Sequence, residues 1–229
     1  RNCQRTRFLL CMVCIPSRYR DIWGNKLKIN QKHFRVAIFG SARTKKGTPH
    51  YKLVHSLAKK IADEGMDIVT GGGPGLMDAA SRGHHASKNK TSHSVGLTIQ
   101  LPREQFDGYH LDVKKDFKKF SGRLDTFMKL SNVVVVAPGG IGTVLELFYT
   151  WQLVQVEHIC NTPIILLGSM WEPLLDWVKG TLVKKGMASK KDLDSIFLVK
   201  TPNQAMKIIK EAKERSKDKK ICVNMKKYR

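Results

Sequence analysis

Asn132–Val133–Val134–Val135–Val136–Ala137–Pro138–Gly139–Gly140–Ile141–Gly142–Thr143–Val144–Leu145–Glu146 is the stretch whose reading decides the fold. Four consecutive valines are too short a run for a helix and too apolar for a strand with one wet face. They predict a strand buried on both sides, as in the middle of a parallel sheet. Pro138 ends it, Gly139 and Gly140 turn the chain, and Gly142–Thr143 opens a helix whose apolar and aromatic face runs through Leu147, Phe148 and Trp151. Such a strand–turn–helix leaves backbone N–H groups and a positive dipole end at the rim of the sheet, an anion site whose usual occupant is phosphate. Glu146 places a carboxylate one helical turn past that cradle.

The same grammar repeats on both sides. Upstream, Phe34 to Phe39 reads as a first strand running into Gly40–Ser41–Ala42–Arg43, and a helix follows from about Pro49 to Glu64 with Gly65 as its stop. Asp67–Thr70 is a second strand feeding Gly71–Gly72–Gly73–Pro74–Gly75, with Pro74 suited to a first helical turn. His93 to Ile99 is a third strand, a short one is expected near His110–Val113, and Phe120–Leu130 is the helix leading into the valines. Downstream, Pro163–Gly168 is another apolar strand, Trp171–Lys185 a helix, Ile196–Val199 a last strand, and Pro202 opens a final helix. Strands alternating with helices predict a single doubly wound, Rossmann-like α/β domain: six or seven mainly parallel strands with helices on both faces. Ligands of such sheets sit outside the carboxyl ends of the strands, where all the glycine-rich turns must lie.

The chain has 229 residues, enough for one well-buried core, and a formal net charge of +22. Much of the excess sits at the ends: residues 1–33 carry eight Lys/Arg against Asp21, and residues 207–229 carry ten against three acids. The expected layout is a basic peripheral extension over 1–33, one domain over 34–211, and a basic tail over 212–229. No aromatic-interleaved basic face accompanies the charge, so nucleic acid is expected only as weak, nonspecific contact of the ends. No apolar run approaches a membrane span. Phe8–Pro16 after Arg1, Arg5 and Arg7 imitates a signal peptide but is short and has no clear small-residue cleavage site. Five cysteines without framework spacing suggest a reducing compartment, and the expectation is cytoplasmic. Cys11-x-x-Cys14 has neither a second pair nor a nearby histidine to make a metal site.

Standard nucleotide fingerprints are absent. G-x-G-x-x-G fails after each strand, no G-x-x-x-x-G-K-[ST] occurs, and no acidic residue closes a second strand to hold a ribose diol. What remains is a site for one phosphate group with a carboxylate close by. Thr143-x-x-Glu146 is also a capping box, with Thr143 as N-cap and Glu146 folding back on it, and taken alone the spacing favours that structural role. Arg123, at the start of a helix, opposes the macrodipole at a cost of about 0.3–1 kcal/mol, which a purely structural residue would avoid. His84 and His85 lie near a helix end where cations are welcome.

Gly40–Ser41–Ala42–Arg43, Gly71–Gly72–Gly73–Pro74–Gly75–Leu76–Met77–Asp78–Ala79–Ala80 with Arg82–Gly83, and Pro138–Gly139–Gly140–Ile141–Gly142–Thr143-x-x-Glu146 occur in the order and spacing of the LONELY GUY (LOG) family. From Phe34 to Ile209 the chain resembles these cytokinin riboside 5′-monophosphate phosphoribohydrolases, whose bacterial relatives act on AMP and similar nucleotides. The group was long mislabelled as lysine decarboxylases, and no lysine here is placed as a pyridoxal Schiff-base partner. The resemblance implies that Glu146 and Arg123 are catalytic and that Gly139, Gly140, Gly142 and Thr143 bind phosphate, with Gly40, Ser41, Gly72 and Gly73 completing the nucleotide site. It also implies a homodimer, and activity with no metal and no organic cofactor. Plant-type members carry a lysine after the arginine and a second glutamate before the catalytic one; Leu124 and Leu145 stand here, closer to the bacterial branch. The alternative on the same scaffold is a non-catalytic binder of nucleotide or molybdenum cofactor.

Overall fold

The computed structural model describes residues 33–100, 110–159 and 162–217; the Cys11-x-x-Cys14 pair, the connection from Leu101, and the basic ends over 1–32 and 218–229 lie outside them. In chain order the elements are β1 (Arg35–Phe39), α1 (Pro49–Asp63), β2 (Asp67–Thr70), α2 (Leu76–His85), β3 (Ser94–Ile99), β4 (Val113–Phe117), α3 (Phe120–Leu130), β5 (Val133–Val136), α4 (Ile141–Gln155), β6 (Ile164–Leu167), α5 (Glu172–Trp177), β7 (Ile196–Val199) and α6 (Pro202–Lys217). The strands form one seven-stranded sheet in the order β4-β3-β2-β1-β5-β6-β7, every neighbouring pair parallel. This is the doubly wound α/β sheet the sequence predicts.

The valine strand shows why. All four side chains are fully buried. Val133 and Val135 face a core built with α1, α2 and α6, while Val134 and Val136 face the opposite core, built with α3, α4 and α5. Each such side chain contributes about 1.5–3 kcal/mol of hydrophobic stabilisation, and alternation along β5 divides that between the two layers. Helix starts follow local chemistry too: Thr48 Oγ1 accepts the Tyr51 N–H at 3.4 Å, Pro49 occupies the first turn of α1, and Gly65 ends that unit at φ +66°.

Two elements depart from the sequence reading. The short strand expected near His110–Val113 is β4 at Val113–Phe117, in the run Val-Lys-Lys-Asp-Phe. As the edge strand it pairs only with β3, so alternate positions meet water and tolerate charges that disguise it. The helix expected over Trp171–Lys185 is interrupted: a 3₁₀ turn at Ser169–Trp171 precedes α5, and a π-helical stretch at Val178–Val183 follows. Gly180 lies within that stretch, where a glycine weakens regular α-helix.

The chain builds outward from β1 through β2 and β3 to β4, then returns to lay β5 on the other edge of β1. That reversal between β1 and β5 is the topological switch point, and the crevice outside the carboxyl ends of these two strands is where this architecture binds ligands. Among the described residues, no helix is long and apolar enough to cross a membrane.

Candidate active site

The turns after β1, β2 and β5 interlock at the switch point. Ser41 N–H donates to Pro138 O at 3.0 Å, and Leu76 N–H donates to Ser41 O at 2.9 Å. Gly75 sits at φ +69° with the Ser41–Ala42 backbone so close that any Cβ would overlap it. Gly40 is packed as tightly, a Cβ there falling 2.9 Å from Leu76 Cβ. Ser41 Oγ accepts the Arg43 N–H at 3.0 Å, and Gly72 N–H donates to Thr70 Oγ1 at 3.2 Å. Gly40, Gly72 and Gly73 thus serve close packing within the rim, Gly73 against the Met77 methyl and Gly72 against Thr98.

Helix α4 begins at Ile141, with Gly140 at the N-cap and no side chain capping it. This corrects the capping-box expectation. Because the helix starts two residues before Thr143, that threonine lies inside the first turn, and Glu146 is too far along to fold back on the N-cap. Among the described residues, the N–H groups of the first turn therefore have no capping side chain. Around Gly140 and Gly142 there is open space, whereas a Cβ on Gly139 would overlap Thr143. Thr143 itself is buried beneath that glycine.

Glu146 turns instead toward Arg123. Arg123 Nη1 and Glu146 Oε1 are 3.6 Å apart, with side chains 10% and 12% exposed. Arg123 Nε donates to Leu97 O at 2.7 Å, at the carboxyl end of β3, and its guanidinium lies 5.3 Å from the Phe127 ring centroid. The terminal nitrogen rests on Gly71, where a Cβ would collide with it. Burial pushes the Glu146 carboxyl up to about 7, against the opposing pull of Arg123. Burial likewise lowers the Arg123 guanidinium, and Glu146 partly restores it. Tyr149 on α4 donates a short hydrogen bond to Asp125 on α3. That bond and burial push the phenol up to about 12, and the pair locks the two helices that carry Glu146 and Arg123.

Of the residues singled out from sequence, the structure brings Arg123 and Glu146 into contact and gathers the loops of Gly40–Ser41, Gly72–Gly73 and Gly139–Gly142 on one rim. Sequence reasoning missed the contributions of Gly71, Leu97, Asp125 and Tyr149. Gly71 was visible only as one of three equivalent glycines, and a backbone carbonyl leaves no mark in a sequence. Other motif residues are structural: Asp78 takes Arg82 Nε at 2.8 Å and the Tyr51 hydroxyl at 2.7 Å, and Gly83 lets α2 cross the His55 backbone of α1. His84 is buried against Met66 O and Ser92 Oγ.

The profile of a family described as "possible lysine decarboxylase" matches residues 77–209, more than half of the chain and including Arg123 and Glu146. The chain belongs to this family. It is the LOG family of the sequence resemblance, the decarboxylase description notwithstanding. A relative, the pyrimidine/purine nucleotide 5′-monophosphate nucleosidase of Escherichia coli K12, is 28% identical over 109 residues, which are 43% of this chain and 23% of the relative. The chain thus spans about a quarter of that protein's length. In fold it is similar to the molybdenum cofactor binding protein of Rippkaea orientalis (19% identity, TM-score 0.58, 80% of this chain and 98% of that one). It is equally similar to the molybdenum cofactor carrier protein of Chlamydomonas reinhardtii (18%, TM-score 0.59, 80% and 99%).

Proposed function

We propose that the protein hydrolyses the N-glycosidic bond of a nucleoside 5′-monophosphate, releasing free base and ribose 5-phosphate. The observation that carries this reading is the buried Arg123–Glu146 pair beside the uncapped start of α4. The 5′-phosphate is held by the backbone N–H groups of the Gly139–Thr143 turn, with the loops of Gly40–Ser41 and Gly72–Gly73 closing the rim. Anchoring the phosphate fixes the ribose relative to Glu146, so that remote binding becomes orientation at the reacting carbon. As the C1′–N bond breaks, its electron pair leaves with the base and positive charge develops on the ribose. Water adds to C1′, Glu146 as carboxylate takes its proton, and a proton is delivered to the departing base nitrogen. Arg123 offsets the charge on Glu146 and on the leaving base. A carboxyl near 7 is about half ionised at neutral pH, suited to a group that must accept a proton and return it.

AMP is the probe of choice and a cytokinin riboside 5′-monophosphate the second. Leu124 is buried and Leu145 half exposed, so neither adds a charge for a specialised base. The chain acts as a homodimer: Ile141, Leu145 and Phe148 form an exposed apolar stripe on α4, next to the cradle, that a second copy covers. The test is base release from AMP compared with adenosine. Release from AMP alone supports the reading. Equal rates remove the phosphate anchor, and tight binding of AMP without turnover replaces the hydrolase with a non-catalytic nucleotide or molybdenum-cofactor binder.

A further inference from the structure

At the opposite edge of the sheet, parallel register does something the sequence does not announce. His33 stands two residues before the start of β1, Asp67 opens β2, and His93 immediately precedes β3. With Arg35 paired to Asp67 and Ile68 to Ser94, the three meet side by side across adjacent strands. Asp67 is fully buried in the middle. Its Oδ1 lies 2.8 Å from His33 Nδ1 and 3.7 Å from His93 Nδ1, and it also accepts the His93 backbone N–H at 2.9 Å. The two imidazoles lie nearly parallel, 25° apart with centroids at 5.8 Å, so both present Nδ1 to one carboxylate oxygen.

His93 Nδ1 is buried and has no hydrogen-bond partner among the described residues, whereas Asp67 Oδ2 faces Arg35 Nε at 3.4 Å. Buried polar atoms are nearly always satisfied, and an unsatisfied imidazole nitrogen aimed at a buried carboxylate points to a missing partner. The other histidine–aspartate cluster, His84 with His85 and Asp112, shows no such deficit. There His84 Nε2 meets Met66 O and Ser92 Oγ, and both nitrogens of His85 have acceptors.

We infer that His33, Asp67 and His93 form a binding site for a divalent transition-metal ion, zinc foremost. Imidazole nitrogen with carboxylate oxygen is a zinc donor set, at about 2.0–2.2 Å from the metal. A tetrahedral ion at such bond lengths has ligand atoms about 3.4 Å apart, and the observed 2.8 and 3.7 Å straddle that spacing. The ligand atoms all fall within 4.8 Å of one another. The ion takes Nδ1 of each ring, leaving each proton on Nε2, and Oδ1 of Asp67. Arg35 Nε, 3.4 Å from Oδ2, holds the far side of the carboxylate and orients it. His93 is 42% exposed, which gives the ion a path from solvent and leaves the fourth position to water. This site ties the amino ends of β1, β2 and β3 together, and it stands independently of the proposed hydrolase chemistry at the other edge.

The test uses the full-length chain without a histidine tag, stripped with chelator and titrated with Zn²⁺ and, separately, with Co²⁺. The parent is expected to bind one zinc that raises its melting temperature, and cobalt is expected to give the visible absorption of a tetrahedral nitrogen–oxygen site. His93→Gln, at a half-exposed position, should weaken zinc binding at least about tenfold, lose the thermal shift and retain the far-ultraviolet circular dichroism of the parent. His33→Gln should do the same. Unchanged zinc affinity in a His33→Gln/His93→Gln double variant, or cobalt spectra dominated by sulfur charge transfer, would place the ion on cysteines and overturn the assignment. Absence of zinc binding by the parent overturns it equally.

Discussion

Arg123–Glu146 at the carboxyl rim and Arg35–Asp67 at the amino edge are both arginine–carboxylate pairs in which the acid is almost or wholly withdrawn from water, yet their acids live differently. Asp67 is crowded with nitrogen: His33, the His93 backbone and the Arg35 guanidinium all converge on it. The Glu146 carboxylate meets one cation at 3.6 Å and accepts no hydrogen bond from a described residue, and it is held up near 7. One sheet thus carries a carboxylate ringed by nitrogen and another, held up near 7, that is ready to change its charge. The under-served acid is the candidate for chemistry because proton transfer requires a group that is stable in neither form by a wide margin.

Removing each acid should separate the two roles. Asp67→Asn takes the carboxylate away from a buried guanidinium and should cost on the order of 3–5 kcal/mol of stability by chemical denaturation, with AMP turnover per folded molecule preserved. Glu146→Gln should keep its melting temperature within a few degrees and lower kcat on AMP by about 10²-fold or more. Arg123→Ala should act on the same step, so that the double variant loses less than the product of the two singles. A Glu146→Gln protein that turns over AMP at the parental rate would leave the proposed hydrolysis without its base.

Glu146 should also declare itself with pH. The Glu146 carboxyl is raised in the folded state from an ordinary value near 4.5 to about 7. Its contribution to stability is therefore fully present below about 4.5 and is lost as pH rises through 7, a difference on the order of 3 kcal/mol. Denaturation of the parent, measured against Glu146→Gln from pH 4.5 to 8, should show that loss in the parent alone. Catalysis runs the other way: kcat on AMP should fall as pH drops below about 7, because the protonated acid cannot take a proton from water. A flat rate profile across that range would contradict the ionisation assigned to Glu146.

The smallest expected effects compare two glycines of the rim. Gly140 has extended backbone and open space around it, so Gly140→Ala should leave the melting temperature unchanged and raise KM for AMP a few-fold by intruding on the phosphate. Gly71→Ala pushes on Arg123 instead, and should lower kcat about tenfold with little change in KM. An equal KM effect for both would show that the rim does not divide binding from chemistry in this way.

What the sequence disclosed follows from range. The valine strand, the glycine turns and the helix over Phe120–Leu130 are local patterns, and the structure places them where those patterns point. The register that brings Arg123 against Glu146 was accessible only through family resemblance. The Thr143-x-x-Glu146 spacing misled because the helix start depends on Gly140, which carries no capping side chain to advertise it. The edge strand Val113–Phe117 was misplaced because half its positions face water. Neither Gly71 beneath an arginine nor His33 beside His93 is a sequence-local fact; each exists only once distant strands lie side by side.

The strand order also governs how the chain can assemble. β1 lies between β2 and β5, and its Arg35 N–H is held by Asn132 Oδ1, 97 residues further on. During synthesis, everything up to Ser131 can emerge while one whole edge of the fully buried strand β1 is still open. Contacts of such long sequence separation form late and slowly, and a bare apolar edge invites pairing with other chains in the meantime. A nascent chain stalled before the valines is therefore a client for holding chaperones. Released at Ser131 it should be recovered as aggregate, a fate that residues 132–136 alone begin to reverse by closing the edge.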